Sequence, residues 1–330
     1  MTNILQDGYN RRIDYLRISI TDRCNMRCIY CMPEDGISEC PHEDVLRYEE
    51  LDMIVDAALQ NGINKFRLTG GEPLVRKGIV EFITGLAKKK GVQDIALTTN
   101  GMLLEEFALP LKQAGLSRVN VSVDSLNPEL FRKITRTDSL DNVMRGIDAA
   151  LAVGLKPVKI NTVAMKENFS EVGDFVALTM RRDLHIRFIE FMPIGNSIKW
   201  AEEGYISSDH IMQVIEDKYG KLDHLKKMCG SGPAVYYKLP GAIGTIGFIS
   251  AMSHHFCKEC NRLRLTADGK LRACLTRDDE IDVKSIIRSG GGIAGLTDAF
   301  EQIIKMKPNE HSMGCIDGTE SQRRMPGIGG

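Results

Sequence analysis

No stretch of this chain is both apolar and long enough to cross a bilayer, and residues 1–10 are polar with no apolar core segment. The sequence therefore predicts neither a membrane span nor a secretion leader, and points to the cytoplasm. Net charge is almost missing as well: 43 basic residues against 44 acidic ones leave −1. No global basic field argues for nucleic acid, and no acidic tail argues for a solvating segment. Nor do the cysteines pair off. There are nine, an odd number, which in a chain without a leader argues for ligation over disulfides. Six fall into two triplets, Cys24, Cys28 and Cys31, then Cys257, Cys260 and Cys274. Cys40, Cys229 and Cys315 stand apart and are expected to be ordinary thiols.

The first triplet carries the most chemistry. A loop of this length wraps three thiolates around one face of a cubane iron–sulfur cluster and leaves one iron without a protein ligand. An open iron is a place where reactions occur, so the spacing favours an enzyme over a stabilising clip. A zinc site that borrows Cys40 or His42 is the competing reading, although structural zinc sites usually come as two close pairs. The second triplet again offers three thiolates. There His254 and His255 leave open a zinc site or an electron-transfer cluster. Arg262 and Arg264 alternate on an expected strand between these cysteines and so share a face, where two guanidiniums suit a phosphorylated ligand.

At 330 residues, 43% of them hydrophobic, the chain can bury a large core. Short apolar runs at 15–20, 64–69, 94–99, 118–124, 157–163 and 185–191 alternate with helical patterns, one of which carries the stripe Leu51, Ile54, Val55, Ala58 and Leu59. These six βα units are too few for a closed eight-stranded barrel, so the expectation is an incomplete (β/α)6 TIM-like barrel over residues 1–203. A C-terminal α+β segment, 204–330, would carry the second triplet, with a helix at 207–219, an antiparallel layer within 222–249, helices at 282–288 and 296–305, and a free tail from 322. Within the strands, polar residues alternate with apolar ones, whereas a parallel sheet covered on both faces reads as continuous apolar runs. The second face should therefore line a lumen holding Arg17, Lys65, Arg67 and Lys159 against one acid, Asp124. A cationic lumen predicts a polyanionic substrate. An open antiparallel sheet with solvated faces is the alternative, and the intervening helices argue against it.

Gly70-Gly71-Glu72-Pro73 follows directly on the second strand, where paired glycines let backbone approach a ligand. Together with Cys24-Asn25-Met26-Arg27-Cys28-Ile29-Tyr30-Cys31, this segment resembles the radical S-adenosylmethionine enzymes. The resemblance implies that S-adenosylmethionine chelates the open iron of a [4Fe-4S] cluster and is cleaved by one electron to a 5′-deoxyadenosyl radical. By position it implies S-adenosylmethionine contacts at Tyr30, Gly71, Ser122 and Met192. Lys65 to Pro73, Thr98-Thr99-Asn100-Gly101, Arg187 to Met192, the stretch from Cys257 to Cys274 and the terminal Gly329-Gly330 narrow the match to the family of molybdenum cofactor biosynthesis protein A, the GTP 3′,8-cyclases.

That narrower resemblance implies a second [4Fe-4S] cluster on Cys257, Cys260 and Cys274 whose open iron takes the guanine of GTP. It implies GTP contacts at Arg17, Arg67, Thr98, Lys159, Arg262, Leu263 through its backbone, and Arg264, with Lys65 and Arg187 nearby. Hydrogen abstraction at ribose C3′ and closure onto guanine C8 would follow, with Arg17, Arg262 and Arg264 assisting the late reduction and protonation. The glycine tail would reach into the active site. Further implications are a flavodoxin or ferredoxin as electron donor and a cyclic pyranopterin monophosphate synthase as recipient of the product; sequence leaves monomer and homodimer open. Two rivals remain, a radical enzyme of the same fold that modifies a peptide, which would not need several inward cations, and a two-cluster electron carrier, which would gain nothing from a vacant iron.

Overall fold

The computed structural model describes residues 5–36, 40–194, 203–226, 232–311, 323 and 325–329; Cys229, Cys315 and Gly330 lie outside the described residues. Five strands alternate with helices over the first 164 residues: β1 Tyr15–Ser19, α1 Tyr48–Gln60, β2 Lys65–Thr69, α2 Ile79–Lys88, β3 Asp94–Thr99, α3 Leu104–Gln113, β4 Arg118–Ser122, α4 Pro128–Thr135, α5 Leu140–Ala152 and β5 Val158–Ala164. Helix α6, Val172–Arg181, and strand β6, Leu184–Glu190, complete the sixth unit. All neighbouring pairs from β1 to β6 are parallel, which excludes the open antiparallel alternative. A parallel pair needs a crossover, and each helix here supplies one while burying its apolar stripe on the sheet. Helix α1 buries Leu51, Ile54, Val55, Ala57 and Ala58 in this way.

The antiparallel layer expected within 222–249 forms, but it continues the main sheet and does not stand apart from it. After α7, Ser208–Tyr219, come β7 Asp223–Leu225, β8 Val235–Lys238 and β9 Thr245–Ile249. The β7–β8 and β8–β9 pairs are antiparallel, but β9 lies parallel to β6. Strand β10, Arg262–Leu265, lies parallel to β1 on the opposite edge, followed by β11 Lys270–Arg272 and β12 Glu280–Asp282. One sheet results, in the order β12-β11-β10-β1-β2-β3-β4-β5-β6-β9-β8-β7. The expected antiparallel layer is thus only a flap on one edge. Strand β9 belongs to the main sheet because its buried Ile246 and Phe248 continue the apolar face of β6.

Helices α8, Val283–Arg288, and α9, Gly292–Lys305, cover the β10 edge, and α9 packs against α1. Arg288 Nε donates to Glu50 Oε1 at 2.8 Å and Lys284 Nζ to Asp44 Oδ1 at 2.9 Å, tying this edge to the start of α1. The tail is not free either. Met325–Ile328 form a short helix, α10, and Ile328 is buried against Ile194, with Met192, Met252, Leu275 and Met325 around them. Four apolar neighbours give the tail a hydrophobic anchor that a reading of its glycines alone does not reveal.

Candidate active site: two cysteine triplets facing one cavity

Both triplets open onto the same hollow, a cavity of about 340 Å³ lined by Cys24, Cys28, Cys31, Cys257, Cys260 and Cys274. Residues on the inner face of β1 through β6 and of β10 complete its wall, so the sheet bends around it. This is the carboxyl end of the parallel strands, where such sheets place their reactive groups.

The first triplet sits on the loop that leaves β1, pressed against the loop that leaves β2. Gly71 N donates to Thr21 O at 2.8 Å and Glu72 N to Arg23 O at 2.7 Å. A Cβ on Gly71 would stand 2.3 Å from Arg23 O and 2.6 Å from Asp22 O, and one on Gly70 would stand 2.4 Å from Thr21 O. The glycine pair therefore serves contact between two backbones as well as opening the cavity wall. Glu72, 1% exposed, accepts from Leu74 N, Thr99 Oγ1 and Asn100 N. Burial pushes its carboxyl up to about 7 against those three donors. Through it the loop after β2 is joined to the loop after β3, where Asn100 Nδ2 reaches Asn25 Oδ1 at 2.7 Å and lies 3.9 Å from Cys24 Sγ.

Burial raises the Cys31 thiol to about 12, helped by Cys24 and Asp124, and raises Cys28 and Cys24 as well. Three thiols whose ionisation burial opposes would be held as thiolates by a bound polycation, which would supply the compensating positive charge. Among the described residues no three His, Cys, Asp or Glu side chains converge closely enough for a single metal ion. A cluster of several irons, which spreads its ligands, fits each triplet better. The proposed zinc partners lie elsewhere: neither Cys40 nor His42 lines the cavity. At the second triplet His254 faces Asp209 at 3.0 Å, and His255 is exposed and meets His311 at a tilt of 43°, with ring centres 4.2 Å apart. Cys260 behaves differently from the first triplet. Burial opposes its ionisation, but Arg262 and Lys307 outweigh it and bring the thiol down to about 6.

Tyr30, Gly71, Ser122 and Met192 all line the cavity. Tyr30 Oη donates to Asp124 Oδ2 at 2.5 Å, and its ring meets Phe191 edge-on. Asp124 is 4% exposed and takes a second bond from Val163 N at 2.9 Å; burial still pushes its carboxyl up to about 6. The one acid expected in the lumen is thus the anchor of Tyr30. Asn120 and Asn161 also line the wall, each with a buried Oδ1 that has no hydrogen-bond partner among the described residues. Buried acceptors of this kind cost free energy until a donor arrives, so they mark where a ligand's N–H or O–H groups would sit.

The register aligns three arginines. Arg264 of β10, Arg17 of β1 and Arg67 of β2 stand directly opposite one another across three adjacent strands. Arg262 and Arg187 also face the cavity. Like charges side by side on one sheet face repel. Burial holds Arg264 down at about 10, with Arg262 adding to the effect, and holds Arg17 well below its ordinary value, with Arg264 and Arg67 adding. Arg67, Arg187 and Arg262 make no ion pair among the described residues. Arg67 Nη1 donates to Thr98 Oγ1 at 3.2 Å, while Nε and Nη2 of the buried Arg187 find no acceptor among the described residues. The carbonyl of Gly329 lies 3.5 Å from Arg17 Nη2 and 3.4 Å from Arg264 Nη1, which brings the tail to the arginine row. Gly329 has φ +73° and its Cβ would meet Ser19 Cβ at 2.9 Å, so only glycine passes there.

Lys65, expected beside the substrate, is bound by Asp14, Nζ to Oδ2 at 2.7 Å, and lies off the cavity wall; the amine of the buried Lys159 lies 5.3 Å from the centre of the Tyr236 ring; Leu263, of which only a backbone contact is expected, buries its side chain in the core. Conversely, Lys307, His311, Tyr15, Asn120 and Asn161 line the cavity without having been singled out. Asn120 and Asn161 were within reach of the strand alternation, since they share a face with Ser122 and Lys159. Nothing in the local sequence marks Lys307 or His311.

Residues 18–179 match the model of the Radical SAM superfamily, and residues 184–313 match that of Molybdenum Cofactor Synthesis C. Among solved structures, Streptococcus suis SuiB superposes with a TM-score of 0.60 at 14% identity, over 81% of this chain and 62% of that chain, which shows a shared fold. Curated relatives named GTP 3′,8-cyclase are far nearer. The protein of Thermodesulfovibrio yellowstonii is 52% identical over 99% of this chain and 100% of its own length, and that of Desulforamulus reducens is 50% identical over 98% and 99%. With both halves of the chain matched and this identity sustained end to end, the chain belongs to the GTP 3′,8-cyclase family of radical S-adenosylmethionine enzymes.

Proposed function

We propose that the protein converts GTP to (8S)-3′,8-cyclo-7,8-dihydroguanosine 5′-triphosphate, the first step of molybdenum cofactor biosynthesis. The observation that carries this reading is the row of Arg264, Arg17 and Arg67 between two cysteine triplets that share one cavity. A triphosphate relieves the repulsion in that row and brings the bidentate acceptors that guanidiniums prefer. Cys24, Cys28 and Cys31 would hold one [4Fe-4S] cluster and Cys257, Cys260 and Cys274 another. When bound, the clusters and S-adenosylmethionine supply one-electron hydrogen abstraction at the ribose and an open iron for the base.

The chain's own residues supply position and charge. Tyr30, fixed by Asp124, together with Gly71, Ser122 and Met192, would hold the S-adenosylmethionine against the first triplet. The unpartnered oxygens of Asn120 and Asn161 would accept from its ribose or from the guanosine. Arg17, Arg262 and Arg264, nearest the second triplet and the tail, would neutralise charge that builds on the base during the late reduction and protonation. Thr98, Arg67 and Arg187 would fix the phosphates, with Lys159 and the Leu263 backbone behind them. Holding the reacting carbon beside one hydrogen donor and away from water accounts for most of the catalysis.

The six βα units then make an incomplete (β/α)6 barrel, residues 1–203, and 204–330 contribute the second cluster and cap its lumen. A cytoplasmic setting, a flavodoxin or ferredoxin donor and hand-over to a cyclic pyranopterin monophosphate synthase belong to the same reading. Protein reconstituted without oxygen and given GTP, S-adenosylmethionine and dithionite should yield 5′-deoxyadenosine and the cyclised nucleotide in step. Cleavage of S-adenosylmethionine with no nucleotide product would remove the GTP assignment.

A further inference from the structure

Each triplet is gripped through its backbone carbonyls by cations from elsewhere in the chain. Arg136, just past the end of α4, donates through Nη1 to Arg27 O at 2.9 Å and Met32 O at 3.1 Å. Those carbonyls flank Cys28 and Cys31. Arg27 itself reaches Cys24 O at 2.5 Å and Met26 O at 3.0 Å. At the second triplet, Lys307 is 4% exposed and donates to Arg262 O and Ala273 O, both at 2.8 Å. One carbonyl lies two residues past Cys260 and the other immediately before Cys274. Arg11, buried and paired with Asp7, donates to Cys257 O at 2.7 Å and to Asn309 O at 2.9 Å.

We infer that Arg136 and Lys307 are positioning residues, each of which joins two arms of one triplet and so shapes a three-thiol seat before iron arrives. The inference rests on the two-cluster reading given under Proposed function. A loop that carries three thiols has no regular hydrogen-bonded ladder to hold it, so its carbonyls must be satisfied from outside. A carbonyl bonded by a cation, whether buried like Lys307 or half-buried like Arg136, is held more firmly than one bonded by water. The donors come from sequence far away, 104 to 109 residues for Arg136 and 34 to 45 for Lys307, so each clasp forms only when its half of the fold is in place. Each cation also lies next to a site where three thiolates gather negative charge.

The pair offers its own control. Lys307→Met should leave about four irons per chain and keep the electron paramagnetic resonance signal that shifts with S-adenosylmethionine, while losing the signal that shifts with GTP. Arg136→Met should give the converse. Lys307→Arg, which keeps donors and charge, should recover most of the second set of irons, and the intact cluster in each variant reports that the chain has folded. Unchanged iron content and both signals in both variants would overturn the inference. Loss of both clusters in each variant would overturn it as well, because the residues would then support the fold at large. Wild-type protein that holds only about four irons would instead remove the two-cluster reading beneath it.

Discussion

Gly71→Ala isolates the contact between the loop after β2 and the loop that begins the first triplet. The added Cβ would stand 2.3 Å from Arg23 O, 2.6 Å from Asp22 O and 2.7 Å from Arg23 C, all backbone atoms with no rotamer to turn away. To restore ordinary contact the two loops must part by about 1 Å. The hydrogen bonds Gly71 N to Thr21 O and Glu72 N to Arg23 O resist that parting, and Cys24 follows Arg23 directly. Overpacking of this kind costs about 1–3 kcal/mol of stability, and a displacement of about 1 Å at a reacting centre costs roughly 100-fold in rate. The assay is 5′-deoxyadenosine formation per iron retained, alongside the thermal midpoint. Gly85→Ala is the control: it lies within α2 with no heavy atom within 4 Å of the added Cβ, and should be neutral or stabilise by up to about 1 kcal/mol. If Gly71→Ala keeps wild-type turnover and iron content, the reasoning from backbone approach fails.

Arg187→Met removes a buried guanidinium whose Nε and Nη2 have no acceptor among the described residues, so the apoprotein should become more stable while GTP affinity falls about 10- to 100-fold. Thermal denaturation and equilibrium binding read the two effects, and a loss of stability without a loss of affinity would contradict the anion-site reading. Asp124 has its pKa raised to about 6 by burial, so the folded chain binds a proton more tightly than the unfolded one. Stability should then be greatest below pH 4 as far as this group is concerned, and decline by about 2–3 kcal/mol as pH rises through 6. Asp124→Asn should flatten that decline in denaturant titrations at pH 5 and pH 8; an unaltered slope would show that another group is responsible.

Much of the fold was legible because the strands are amphipathic. The six expected runs overlap β1 to β6 with ends shifted by at most two residues, and alternation placed Arg17, Arg67 and Asp124 on the face that lines the cavity. Depth along a strand was not legible. Lys65 and Lys159 have the periodicity of cavity residues, yet Asp14 captures one near the start of β2 and Tyr236 faces the other from β8. Edge pairing was not legible either. Strands β9 and β10 look locally like any short β segment, and only the completed sheet shows that each extends the parallel run at one end. Lys307 stands just past α9, where a cation reads as a helix-end charge, and its acceptors lie on β10 and beside Cys274.

The placement of β9 and β10 has a consequence for biogenesis. Until they are synthesised, β1 and β6 each present an unpaired backbone rim, and the emerging first half of the protein carries two sticky borders of the kind that recruit other chains. Pairing Arg17 with Arg264 closes a loop of about three-quarters of the polypeptide, which is a slow, late event. A gene split near residue 203 should therefore yield aggregate, and assembly of the metal centres should wait on the ribosome finishing its work.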